Sequence, residues 1–94
     1  MKIEDIRQRK RYYRGTDNRN EPRMIADKTI KPSVNHLTGN YEKGLSVSDV
    51  PDVEKYFAYM YEIEGTEIGE GSDGEPLLDL DSLKFIRWIN RPKR

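Results

Sequence analysis

The sequence predicts a small α+β fold, a mainly antiparallel β-sheet with one or two short helices on one side. Three observations predict it. Apolar and polar residues alternate over Leu45-Ser46-Val47-Ser48 and again over Tyr59–Glu64, as half-buried strands require. Between these runs, Val50, Val53 and Phe57 lie at helical spacing around Pro51. Glycine, proline and Asp-Gly turn signals then separate the remaining short apolar runs.

At 94 residues the chain predicts one domain over 1–94 with a modest core. Hydrophobic residues make up 34% and charged residues 36%, and the 10% aromatic content argues against full disorder. Taken in order, Ile3 and Ile6 suit one or two helical turns, although the ends, 1–10 and 90–94, are expected to fray. Residues 11–15 read as a strand that ends in a turn at Asp17-Asn18-Arg19-Asn20. The stretch 17–44 is loop-rich, with Pro22, Pro32, Gly39 and Gly44, and carries at most a weak strand at 23–26. After the strand at 45–48, Ser48 or Asp49 is a candidate N-cap. Pro51 suits the first helical turn, and Asp52 and Glu54 complement the positive end of the helix dipole. These signals predict a helix over 50–57, with an extension to Met60 as the alternative. Tyr59–Glu64 then reads as a strand and Gly65–Gly74 as a glycine-rich acidic loop. Glu75–Asp79 reads as a short edge strand, where a proline is tolerated, and Asp81-Ser82 resets the chain. For 83–89 a strand and a short helix both fit, and the strand is preferred.

Charge is distributed unevenly. Lys and Arg number 17, as do Asp and Glu, so the formal net charge is zero. That excludes a uniformly basic or uniformly acidic chain. Residues 1–43 nevertheless hold eleven bases and six acids, and 44–94 hold six bases and eleven acids. The absence of cysteine excludes a disulfide framework, a zinc knuckle and a thiol nucleophile. No window approaches a membrane span, and the charged start does not resemble a signal peptide, so the cytoplasm is the expected compartment. His36 is the single imidazole, which leaves no metal-ligand cluster and no convincing hydrolase triad. Asp73, Glu75, Asp79 and Asp81 do not match EF-hand spacing, and Gly69-Glu70-Gly71 is too short for a dinucleotide fingerprint.

One ordered constellation carries chemistry: Tyr13-Arg14-Gly15-Thr16, Leu45-Ser46-Val47-Ser48 and Asp73-Gly74-Glu75. An arginine at a strand end can hold phosphate through bidentate hydrogen bonds. A strand serine can position another side chain or a ribose hydroxyl. A glutamate behind a glycine loop can orient a ribose hydroxyl or stabilise positive charge as a glycosidic bond breaks. Tyr56 and Phe57 can stack on a flat ring.

In this order of motifs the chain resembles the mono-ADP-ribosyltransferase superfamily, which carries Arg on a first strand, then Ser-Thr-Ser, then Glu-x-Glu. The resemblance implies a split antiparallel β-sandwich that binds NAD in its cleft, with no metal. It implies that Arg14, with Gly15 beside it, holds the NAD phosphate or the adjacent ribose. Ser46 would support Glu75, the catalytic glutamate, and Ser48, Tyr56 and Phe57 would complete the cofactor site. Asp73 would help select the acceptor, and loop 65–72 would recognise the target. The chain departs from the pattern in three respects: Val47 stands for the central Thr, Asp73 stands for the first Glu, and the chain is shorter than the family's usual cores.

Two other readings compete. A non-catalytic interaction module, such as a phage or bacterial regulator or inhibitor, can bind a partner protein through polarised charged faces, with Tyr12, Tyr13, Tyr41 and Trp88 as anchors. For Trp88 and Phe85 the core is the preferred reading. An RNA-binding domain can use the basic stretch 7–23, where Arg7, Arg9, Lys10, Arg11, Arg14, Arg19 and Arg23 flank Tyr12 and Tyr13. The same bases can instead pair with the chain's own acidic segment.

Overall fold

In the computed structural model, which describes residues 10–35, 37–51 and 57–90, two small antiparallel sheets pack together. The first sheet has the order β1-β3-β6, where β1 is Arg11–Thr16, β3 is Tyr59–Glu64 and β6 is Lys84–Asn90. The second has the order β2-β5-β4, where β2 is Leu45–Ser46, β4 is Glu67–Glu70 and β5 is Pro76–Leu78. Among the described residues one short helix, α1 (Glu21–Ala26), and a 3-10 turn at Leu80–Ser82 accompany the sheets. The predicted α+β class with antiparallel sheets is therefore the observed one. Among the described residues no helix is long and apolar enough to cross a membrane, and no group of three or more His, Cys, Asp or Glu lies close enough to hold a metal ion.

The core follows from strand alternation. Tyr12, Tyr61, Ile63, Leu45, Val47, Leu78 and Ile25 form one buried cluster, with Phe85 and Trp88 packed against it. Tyr61 is fully buried and meets Phe85 and Trp88 at ring-centroid distances of 5.5 and 5.6 Å, in tilted and edge-on arrangements. β3 is the central strand of its sheet and is covered on both faces. Its polar positions Glu62 and Glu64 are buried too, and they need partners. Arg11 supplies them to both (3.1 and 2.9 Å), and Arg87 adds a second contact to Glu62 (2.8 Å).

The segment after β2 joins the sheets. Leu45 and Ser46 pair with Leu78 and Leu77 of β5. Two residues on, Ser48 exchanges both backbone hydrogen bonds with Tyr13 of β1, each 2.8 Å. Tyr12 makes a second link, its hydroxyl donating to Glu67 of β4 at 3.0 Å.

Five expectations need correction. Residues 23–26 are helical rather than a weak strand: Pro22 sits in the first turn of α1, where its missing N–H is harmless, and Glu21 lies at the positive end. The Gly65–Gly74 loop contains a strand, β4, whose Gly69 has open space around it. Pro76 starts a central strand rather than an edge strand. The first position tolerates proline, and its carbonyl still accepts from Val47 N–H at 3.0 Å. Tyr12 is only 3% exposed, so it is a core residue and not an interface anchor. The possible helical extension to Met60 is also replaced by strand, since β3 begins at Tyr59. Most of the predicted 50–57 helix and the turns around Ile3 and Ile6 lie outside the described residues.

Burial, reinforced by the bond to Glu67, pushes the Tyr12 hydroxyl up to about 12. A phenol whose folded value is raised stabilises the fold fully below its ordinary value of about 10, and that contribution is lost as the pH climbs through the folded value. Chemical denaturation between pH 10 and 12 should therefore show stability falling as the Tyr12 phenol ionises. Tyr12→Phe should flatten the profile, and an unchanged slope would contradict the buried hydrogen-bonded phenol.

Candidate active site

Arg14, Ser46 and Glu75 are brought to one cleft by three different strands or strand ends. β1 carries Arg14, and its alternation sends Arg14 to the same side as the buried Tyr12. β2 carries Ser46. Glu75 directly precedes β5 behind a tight turn, in which Gly71 N–H donates to the Glu75 carbonyl (2.7 Å) and Gly74 N–H to the Gly71 carbonyl (3.0 Å). Gly74 has φ +79°, a conformation that glycine adopts without cost.

Ser46 connects the parts. Its hydroxyl donates to Glu75 Oε2 at 2.8 Å. Its carbonyl accepts from Arg14 Nη1 at 2.9 Å. Its N–H donates to Ser33 Oγ at 2.8 Å. The other carboxylate oxygen of Glu75 accepts from Asp73 N–H at 2.9 Å, so both oxygens are held. Gly71 makes this possible: a Cβ there would collide with the Glu75 carboxylate.

Arg14 is anchored from behind. Its Nε and Nη2 donate to the two oxygens of Glu21 at 3.1 and 3.2 Å, and the Tyr61 hydroxyl donates to Glu21 Oε1 at 2.8 Å. Burial opposes the charge on Arg14, but the Glu21 carboxylate outweighs it and holds the guanidinium above its ordinary range. Burial first, then the Glu21 charge, pushes the Tyr61 phenol far above its ordinary range, so it remains a neutral donor.

The cleft has a volume of about 570 Å³, within the usual range for small-molecule sites of roughly 300–1,000 Å³. Arg14, Gly15, Ser46, Ser48, Asp73 and Glu75 line it together with Tyr13, Val50 and Phe57. Tyr13 and Phe57 provide aromatic surface beside the polar groups. A smaller concavity of about 300 Å³ shares Arg14, Ser46, Asp73 and Glu75 and adds Ser33 and Ser72. Of the residues predicted to line this site, Tyr56 lies outside the described residues, as do the lone His36 and Arg7 and Arg9 of the basic front.

Sequence reasoning missed Glu21, Ser33, Gly71 and Tyr61. An acid before Pro22 is a readable helix-start signal, but nothing local indicates that Glu21 reaches Arg14. The basic front also looks different in three dimensions. Lys10 pairs with Asp49 (3.0 Å), Arg11 with Glu62 and Glu64, Arg14 with Glu21, and Arg23 with Asp27 (3.7 Å). No family model matches the chain, and neither a curated protein nor a solved structure matches it.

The contact at Gly71 generates a paired test. The colliding atoms are the far end of a flexible side chain, so Gly71→Ala should swing Glu75 off Ser46 rather than unfold the protein. Thermal denaturation should show a loss of about 1 kcal/mol, that of a hydrogen bond. Gly69→Ala, in open space, should change stability by less than roughly 0.5 kcal/mol. Equal effects of the two substitutions would contradict the close approach.

Proposed function

We propose that this cleft binds NAD as a substrate and acts as an ADP-ribosyltransferase-like site, cleaving the nicotinamide glycosidic bond and passing ADP-ribose to an acceptor or to water. The observation that carries the reading is the 2.8 Å hydrogen bond from Ser46 to Glu75 in a cleft shared with Arg14. A carboxylate held at both oxygens is preorganised, and preorganised charge lowers the barrier where opposite charge develops. Glu75 would orient a ribose hydroxyl and face the positive charge that grows on the anomeric carbon as nicotinamide leaves with the bonding electron pair. Water or an acceptor hydroxyl or amine then bonds to that carbon and releases its proton to solvent. Arg14 retains two of its five N–H donors for phosphate or ribose oxygens. Tyr13 and Phe57 offer stacking surface, Ser48 a further hydroxyl, and Asp73 an acidic edge that bears on the choice of acceptor. The residues present fit the substrate chemically, and the cytoplasm, where NAD is available to a cysteine-free chain, fits as its compartment.

A second reading is favoured by one observation. Val34, Leu37 and Tyr41 are 56, 74 and 62% exposed around the Val34–Tyr41 bridge, an apolar projection suited to contacting a partner protein as a non-catalytic module. RNA binding through 7–23 draws less support, because Tyr12 is buried and Arg11 and Arg14 are paired with acids.

Calorimetric titration with NAD, together with release of nicotinamide, tests the first reading. Binding should be detectable at millimolar NAD and weakened by Arg14→Ala. Glu75→Gln should cut nicotinamide release by roughly 10²–10³-fold with little change in the unfolding midpoint. Absence of binding at millimolar NAD would move the assignment to the interaction module.

A further inference from the structure

We infer that Glu21 is a positioning residue that converts Arg14 from an anion clamp into a donor to neutral oxygen, so that Arg14 serves a ribose hydroxyl and not the pyrophosphate. The inference deepens the NAD reading: the ribose assignment and the activity measurement rest on it, and the charge-balancing of Arg14 by Glu21 does not.

The geometry is specific. Glu21 is 8% exposed, and its carboxylate grips the Nε–Nη2 side of the guanidinium, the bidentate arrangement that fixes both position and plane. Tyr61, fully buried, holds the same carboxylate by its hydroxyl. Nη1 is tied to the Ser46 carbonyl. Three contacts on a planar group leave no freedom to rotate, and the two N–H donors that remain are fixed in direction. Electrostatics decides what those donors can serve. The positive charge is matched by a carboxylate in direct contact, so a dianionic or trianionic group would meet an ion pair rather than a free cation. The other charges lining the cleft are acids: Asp49, itself paired with Lys10, together with Asp73 and Glu75. An unpaired phosphate there is repelled, whereas a hydroxyl oxygen gains two directed hydrogen bonds at no Coulomb cost. The same oxygen would sit beside Glu75, which Ser46 joins to Arg14 through one residue.

The test is to neutralise Glu21 while keeping one of its two acceptor oxygens. In Glu21→Gln, inorganic pyrophosphate, used as the probe, should bind roughly 5- to 10-fold more tightly than to the wild type. The gain should vanish in the Glu21→Gln/Arg14→Met double variant. With NAD, kcat should fall about 10- to 100-fold while KM moves little. A residue needed only for folding would weaken pyrophosphate and NAD binding together. Should Glu21→Gln fail to fold, Tyr61→Phe supplies the alternative. The Arg14 Nε–H resonance should be sharp and protected from water exchange in the wild type and should exchange at least 10-fold faster in that variant. Unchanged or weaker pyrophosphate binding in a folded Glu21→Gln, or unchanged exchange in Tyr61→Phe, would overturn the inference. If the pyrophosphate gain appears but the wild type neither binds nor cleaves NAD, the NAD reading fails and the role of Glu21 stands.

Discussion

The structure turns on the backbone and side chain of one residue, Ser46. Its carbonyl holds Arg14, its N–H is held by Ser33, and its hydroxyl holds Glu75. Because Ser46 pairs with β5 while Ser48 pairs with β1, the four residues 45–48 belong to both sheets. A displacement of this segment would separate the sheets and dismantle the cleft together. Packing and site geometry are therefore the same constraint, and a domain this small gains from combining them, since its core alone is modest.

The charge pattern takes on meaning in that frame. A basic front and an acidic middle sum to zero, and in the fold much of that balance is internal. Arg11 and Arg87 together balance two carboxylates on the central strand of the first sheet, and Lys10 reaches Asp49 at the cleft. Buried carboxylates such as Glu62 and Glu64 are costly unless paired, so these bases serve the fold before they can serve a ligand. Arg14 is the exception in position and follows the same rule in charge: it lines the cleft, yet Glu21 balances it.

Much of this was legible in the sequence. The period-two alternation located β3 and the 45–48 segment, the paired tyrosines before the Asp17–Asn20 turn located β1, and Asp73-Gly74 marked the turn that presents Glu75. The order Arg14, Ser46, Glu75 picked out three residues that the fold brings together. The failures have physical reasons. β4 was hidden because Glu67-Ile68-Gly69-Glu70 has one apolar residue and a glycine, and it forms by pairing with β5 rather than by its own propensity. Pro76 suggested an edge because proline lacks a donor, but the first position of a central strand does not need one. Tyr12 lies amid arginines and reads as exposed, and only the register with Ile63 places it inside. Glu21 and Tyr61 act on Arg14 across seven and forty-seven residues of chain, a relation that no local pattern encodes.

Backbone-amide shift mapping tests directly the proposal that NAD binds in the cleft. On titration with NAD, the amides of Tyr13, Ser46, Ser48, Asp73 and Gly74 should shift together along one saturating curve, and those of the Val34–Tyr41 projection should stay in place. Shifts confined to that projection, or none at all up to millimolar NAD, would contradict the central claim.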